Sequence, residues 1–161
     1  MRAAVLTIST TRARGEGEDV SGRALVDLCR EAGLDTVHHV LPDDREAIAG
    51  AMRRLADEDG VRFIFTTGGT GMTADDVTPE ATREVIDRDA PGYAEAIRAE
   101  SRNHTPLGIL TRGVSGTRGR TLIVNFPGSP KAVRELFGVI APTLPHAVRT
   151  LRGDSRHGAR D

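Results

Sequence analysis

The sequence has one cysteine, Cys29, no tryptophan, one tyrosine and four phenylalanines among 161 residues. A lone thiol forms no internal disulfide and cannot build a cysteine-rich zinc site, which fits a reducing compartment. An aromatic content of 3% leaves nothing from which to make a stacking platform for single-stranded nucleic acid. There is no charge excess either. With 22 basic against 23 acidic residues the net charge is −1, so no global field gathers DNA or an anionic membrane. No run approaches the roughly 18 apolar residues of a membrane span, and MRAAVLTIST lacks the apolar length of a signal peptide, so a cytoplasmic location is expected. Lysine is scarce as well: Lys131 is the only one among the 22 basic residues. That bias reads either as genome composition or as a preference for arginine at anion sites.

What is present is the balance of a globular chain, 38% hydrophobic and 28% charged, at a length that suits one domain. Short runs of Val, Ile and Leu alternate with helix-like segments, the pattern of a parallel sheet covered by helices. Strands are predicted over 3–9, 36–41, 61–67 and 121–125. The helices between them open at Ser21, Asp44, Thr78-Pro79, Tyr93 and Ser129-Pro130, and a last one ends near Arg152. Segments 10–20 and 113–119 read as loops, and 155–161 as a polar tail after a single domain over 1–154.

Glycine-rich loops follow three of the strands, and in open parallel sheets ligands bind beyond the carboxyl ends of the strands. The first, Thr66–Ala81, carries TTGGTG and then DVTP. Three glycines in four positions read either as a tight turn or as a phosphate cradle with backbone N–H groups turned inward. It is not a Walker motif, because residues 72–74 are Met, Thr and Ala. The second, Thr111–Ala132, sets Arg112, Arg118 and Arg120 on glycine hinges, either as phosphate-binding forks or as solvated side chains. Lys131 in a first helical turn opposes the macrodipole unless an anion sits there, and an exposed lysine reads equally well. Asp43 follows a strand end and shares the rim with Asp76, although its simplest role is to start the turn. No histidine pair has ligand spacing, since His38 and His39 point to opposite faces of a strand. Carboxylates beside anion cradles, with no thiol or imidazole nucleophile, point to Mg²⁺-assisted phosphoryl or nucleotidyl transfer.

The stretches TTGGTG (66–71), DVTPEAT (76–82), PGYAE (91–95), SGTRGRTLIVNFPGSPKA (115–132) and LPHAVRTLRGD (144–154) together resemble the MogA/MoaB type of molybdenum-cofactor biosynthesis protein, a domain found also in gephyrin. The resemblance implies a three-layer αβα domain with a mostly parallel sheet, commonly a trimer. It implies Mg²⁺-dependent transfer of AMP from ATP to molybdopterin, with the product passed to a metal-insertion step. By that resemblance Asp43 and Asp76 are the critical, metal-holding carboxylates. Thr67, Gly68, Gly69, Thr70, Gly71 and Thr78 would surround the nucleotide and pterin phosphates, together with Ser115, Gly116, Arg118, Gly119, Pro127, Gly128, Ser129 and Lys131. The chain departs at Ser9-Thr10, where the family often has Ser-Asp. A binding paralogue without catalysis, or a trimeric scaffold module, is the alternative. The retention of both aspartates and the glycines favours an enzyme.

Overall fold

The computed structural model describes residues 1–153; Asp154 and the tail expected over 155–161 lie outside the described residues. The elements in chain order are β1 (Arg2–Ile8), α1 (Thr10–Ala13), α2 (Val20–Glu31), β2 (Asp35–Leu41), α3 (Arg45–Asp57), β3 (Phe63–Thr67) and α4 (Thr78–Val85). There follow β4 (Arg88–Asp89), α5 (Pro91–His104), β5 (Ser115–Arg118), β6 (Thr121–Phe126), α6 (Pro130–Ile140) and α7 (Leu144–Leu151). They build one six-stranded sheet in the order β2-β1-β3-β6-β5-β4. The first four strands of that order run parallel, β5 is antiparallel to β6, and β4 is antiparallel to β5.

Strand alternation sends Val5, Phe63, Phe65, Leu122, Val124 and Phe126 to one face, under α2, α5, α6 and α7. Leu6, Ile8, Ile64 and Ile123 go to the other, under α3 and α4. Both faces are buried, which is why these strands read as continuous apolar runs. The four phenylalanines meet in the first layer. Phe63 stacks on Phe65 at 5.7 Å, and Phe65 meets Phe126 and Phe137 edge-on. Each such side chain contributes roughly 1.5–3 kcal/mol by burial. Cys29 sits in the same layer, its thiol pushed up to about 12 by burial and therefore chemically quiet.

Several helix starts agree with the sequence. Asp44 caps α3 by accepting from the Ala47 N–H at 2.7 Å, and Ser129 caps α6 through the Ala132 N–H. Others differ for stated reasons. Asp19 rather than Ser21 caps α2, because the Thr7 hydroxyl and His38 hold its carboxylate while its other oxygen accepts from the Gly22 N–H. Thr78 is the first helical residue of α4, not its cap; its hydroxyl is spent on the Gly68 carbonyl. α5 begins at Pro91, where a missing N–H costs nothing. Within 10–20, Ser9 caps the one-turn α1.

The larger correction is β5. Residues 115–118 pair with β6 on one side and β4 on the other, so the expected loop is a strand. Gly116 permits this pairing, since a Cβ there would lie 2.7 Å from the Arg88 carbonyl oxygen. Gly119, at φ +53°, makes the hairpin turn.

The parallel strands β2, β1, β3 and β6 end at one edge: Leu41 lies opposite Ile8, Thr7 opposite Thr67, and Thr67 opposite Phe126. The chain winds outward from β1 to β2 on one side and from β3 to β6 on the other. The loops after β1 and β3 therefore diverge to opposite faces and leave a crevice between them.

Candidate functional site

The site is built around Gly68 to Gly71. Gly68 and Gly69 have φ of +99° and +64°, where a side chain is strained. Space excludes a side chain as well. A Cβ on Gly68 would collide with the Ile8 carbonyl oxygen, and one on Gly69 with the Thr78 hydroxyl. The turn is thereby fastened to the end of β1 and the start of α4. Thr78 completes the link, its N–H donating to the Gly69 carbonyl at 3.1 Å. On the far side the PGSP segment leans in. The Thr67 hydroxyl donates to the Pro127 carbonyl at 2.8 Å, and a Cβ on Gly128 would lie 3.2 Å from the Gly68 Cα. Thr70 is buried and its carbonyl accepts from the Arg112 N–H.

Two carboxylates flank this turn. Asp43, just beyond β2, is held by Thr10, just beyond the neighbouring β1. The Thr10 N–H and hydroxyl both donate to Asp43 Oδ2, at 2.8 and 2.9 Å, and the Asp43 N–H donates to the Thr10 hydroxyl at 3.0 Å. Its Oδ1 lies 3.4 Å from where a Gly69 Cβ would sit. Asp76 is held in the same manner by Thr73, whose N–H and hydroxyl donate to Oδ2 at 2.9 and 2.7 Å. Its Oδ2 and Oδ1 lie 2.8 and 3.5 Å from the Cβ position of Gly71, so the whole carboxylate packs on that glycine. Burial alone would push the Asp76 carboxyl up. The Thr73 hydroxyl and N–H, the Gly71 N–H and the Arg112 charge outweigh it and hold the group below the ordinary carboxylate range.

Arg112, read from sequence as a possible phosphate fork, turns inward instead. Its Nε donates to the Gly71 carbonyl at 2.7 Å and Nη2 to the Asp76 carbonyl at 2.6 Å, while Nη1 pairs with Glu80. The guanidinium ties both ends of the 71–76 loop to α4. No sequence signal separates that use of an arginine from anion binding, because the partners come from tertiary structure.

A cleft of about 280 Å³ opens between Ser9, Arg12, Asp19, Thr67, Gly68 and Gly128 at the strand ends. A second, of about 230 Å³, lies on the other side of the PGSP segment and takes in Thr111, Pro127, Ser129 and Lys131. Lys131 itself is 81% exposed and lies 3.7 Å from Glu135, one helical turn on. The rim thus brings together Thr67 to Gly71, Thr78, Asp43, Asp76 and the 127–131 segment.

Residues 115–119 do not join it. The Ser115 hydroxyl is buried, donating to the Ala90 carbonyl and accepting from the Ala94 N–H, so it anchors α5. Gly116 is inside the sheet. Arg118 pairs with Thr121, the first residue of β6, and about 16 Å of strand separates it from the rim at Phe126. There its guanidinium forks onto Asp57 at 2.7–3.1 Å and donates to the Val85 carbonyl, while the Gly119 N–H donates to Asp87. The expected gathering of 115–119 around the pocket is corrected by the antiparallel course of β5, which carries the arginine away.

Among the described residues no group of three His, Cys, Asp or Glu could hold a metal. The rim's two carboxylates are an all-oxygen donor set. By its chemistry that set suits a hard cation such as Mg²⁺ better than a resident transition metal. Also among the described residues, no helix is long and apolar enough to cross a membrane.

Residues 4–146 match the family described as "Probable molybdopterin binding domain". The chain is 35% identical over 153 residues to a molybdopterin adenylyltransferase of Helicobacter pylori, covering 93% of this chain and 87% of that protein. Against the Escherichia coli molybdopterin adenylyltransferase it is 33% identical over 168 residues, covering 95% and 86%. The molybdenum cofactor synthesis protein cinnamon of Drosophila melanogaster is 41% identical over 152 residues, 93% of this chain, but the match spans only 25% of that protein's length. Among solved structures, the molybdopterin biosynthesis enzyme MoaB from Thermus thermophilus superposes with a TM-score of 0.88 at 42% identity, covering 94% and 96% of the two chains. With the family match, the bacterial relatives and the solved structure each covering most of this chain, it belongs to the MogA/MoaB family of molybdenum-cofactor biosynthesis proteins.

Proposed function

We propose that the chain is a molybdopterin adenylyltransferase, joining AMP from ATP to the phosphate of molybdopterin and releasing pyrophosphate. The observation that carries this reading is the pair of carboxylates, Asp43 and Asp76, each fixed against a glycine of the 68–71 turn at the sheet's crevice. Full-length relatives named for this activity support it.

The chain's own residues account for binding and orientation. The cleft lined by Ser9, Arg12, Thr67, Gly68 and Gly128 gives phosphate oxygens room beside the Gly68 end of the turn. The Ser129-capped start of α6 adds the positive end of a helix dipole beside Lys131. Held there, a molybdopterin phosphate oxygen attacks the α-phosphorus of ATP. The bond from that phosphorus to the bridging oxygen breaks, and the electron pair leaves with pyrophosphate. Little proton transfer is required, so catalysis rests on positioning and on charge. Both substrates are anionic and both fixed side chains are carboxylates, an arrangement that repels unless a cation lies between. Asp43 and Asp76 would hold Mg²⁺, whose charge when bound neutralises the phosphates and polarises the breaking bond.

Assembly as a homotrimer and delivery of the product to a metal-insertion protein belong to the same reading. Exposed Leu107, Ile109 and Leu110 supply apolar surface that a subunit contact would cover. The deciding experiment is pyrophosphate release from MgATP with and without molybdopterin. Release that depends on the pterin is expected, and no dependence would overturn the assignment.

A further inference from the structure

We propose that Thr10 and Thr73 are matched positioning residues that pin Oδ2 of Asp43 and Asp76, so that each carboxylate meets its ligand through Oδ1 alone. The inference rests on the adenylyltransferase reading for the nature of that ligand, but its geometry stands by itself. In both cases one threonine gives two donors, a backbone N–H and a hydroxyl, to one carboxylate oxygen, all within 2.7–2.9 Å. Oδ1 of Asp43 lies 3.4 Å from the Cβ position of Gly69; at Gly71 both oxygens of Asp76 approach, the pinned Oδ2 at 2.8 Å and Oδ1 at 3.5 Å.

The two clamps differ in origin. Thr73 is three residues from Asp76 and makes a local turn, whereas Thr10 reaches Asp43 across 33 residues of chain. The Thr10 hydroxyl also accepts from the Asp43 N–H, so it fixes backbone and carboxylate together. Ser9 sets Thr10 in place by donating its N–H to the Leu41 carbonyl, joining the end of β1 to the end of β2. A carboxylate with one oxygen saturated by two donors cannot chelate through both oxygens without giving those bonds up. Each such group would therefore present one oxygen to a cation held with the substrate phosphates.

The test uses Thr10→Val and Thr10→Ser, with Thr73→Val and Thr73→Ser as the second pair. Valine keeps the N–H and the branched shape but loses the hydroxyl; serine keeps both donors. The first readout is the affinity of Mn²⁺ in the presence of ATP, followed by electron paramagnetic resonance. The second is steady-state pyrophosphate release, with kcat and the KM for molybdopterin separated. Each valine variant should weaken Mn²⁺ binding and lower kcat by about tenfold, the scale seen when a group that orients a metal ligand is lost. KM should change less than twofold, and each serine variant should return to within about threefold of the parent. Equal losses in the serine and valine variants would overturn the inference. So would Mn²⁺ affinity within twofold of the parent in Thr10→Val, or a parent with no Mn²⁺–ATP site. A parent that binds Mn²⁺–ATP but releases no pterin-dependent pyrophosphate refutes the adenylyltransferase reading alone, and the Mn²⁺ comparison still decides the clamp.

Discussion

Asp76→Asn separates the fold's need for this residue from the reaction's. Asparagine has nearly the same shape as aspartate, and its amide oxygen can still accept from the Thr73 N–H and hydroxyl that now bond Oδ2 at 2.9 and 2.7 Å. Hydrogen bonds to a neutral acceptor are roughly half as strong as those to a carboxylate. The stability lost should therefore be about 1 kcal/mol, a drop in Tm of about 2–4 °C for a chain of this size. Turnover should respond differently. The negative charge is what makes the side chain a strong ligand for a cation beside the substrate phosphates; a neutral amide oxygen is a weaker one. Removal of the charge should cost about 100-fold or more in kcat, roughly 2.7 kcal/mol of transition-state stabilisation. Molybdopterin, an anion, should bind at least as well. The assay is Mg²⁺-dependent pyrophosphate release beside pterin affinity and thermal unfolding, with Asp75→Asn as the neighbouring control expected to keep near-parental turnover. Turnover of Asp76→Asn within about threefold of the parent would refute the metal-holding role.

Other outcomes follow from particular contacts. Arg118→Ala should lower Tm by about 2–4 °C through loss of its fork on Asp57, yet leave ATP and molybdopterin affinities unchanged within twofold in calorimetry. A tenfold loss of affinity would return the arginine to the site. Gly68→Ala should destabilise by about 2–4 kcal/mol in urea unfolding, because positive φ and a collision with the Ile8 carbonyl add together. Gly60→Ala, at φ +62° with nothing within 4 Å, should cost only about 1–2 kcal/mol, and equal costs would refute the packing argument. Glu80 and Asp76 are held below their ordinary range in the folded protein, Glu80 chiefly by its hydrogen bond from Arg112. Their stabilisation is complete above the unfolded-state values and is lost as pH falls through the lower folded ones. The urea midpoint should thus fall below about pH 4.5, and Glu80→Gln should flatten that fall. An acid limb identical to the parent's would contradict it.

How much of this was legible in the sequence varied with the physics of each element. The parallel strands are buried on both faces and so appear as unbroken apolar runs, and the caps at Asp44 and Ser129 are local chemistry. β5 was not legible. SGTR contains a glycine and an arginine and lies between glycines, so propensity speaks for a loop. The residue that makes it a strand is Gly116, which lets the Arg88 backbone approach, and that is a tertiary fact. The same propensity argument misplaces Arg118, which β5 carries to Asp57. Three arginines spaced along glycines look alike on paper, but one is spent on the carbonyls of the 71–76 loop and another on Asp57 at the opposite edge of the sheet.

The placing of Asp43 and Asp76 at one edge is legible for the converse reason: each lies on a loop after a parallel strand, and such loops reach the same edge. What the sequence could not show is why Asp43, on the loop after β2, lies beside a turn that follows β3. The strand order supplies the answer. β1 lies between β2 and β3, so a residue at its end can touch both neighbours, and Thr10 sits just past that end. The carbonyl of Ile8 packs against Gly68 on one side, and the Thr10 hydroxyl and N–H hold Asp43 on the other. The central strand of the crevice therefore sets the spacing between carboxylate and turn, although it contributes no carboxylate of its own. A substitution at the end of β1 should disturb both halves of the site at once, whereas one in the 73–76 segment should disturb only Asp76.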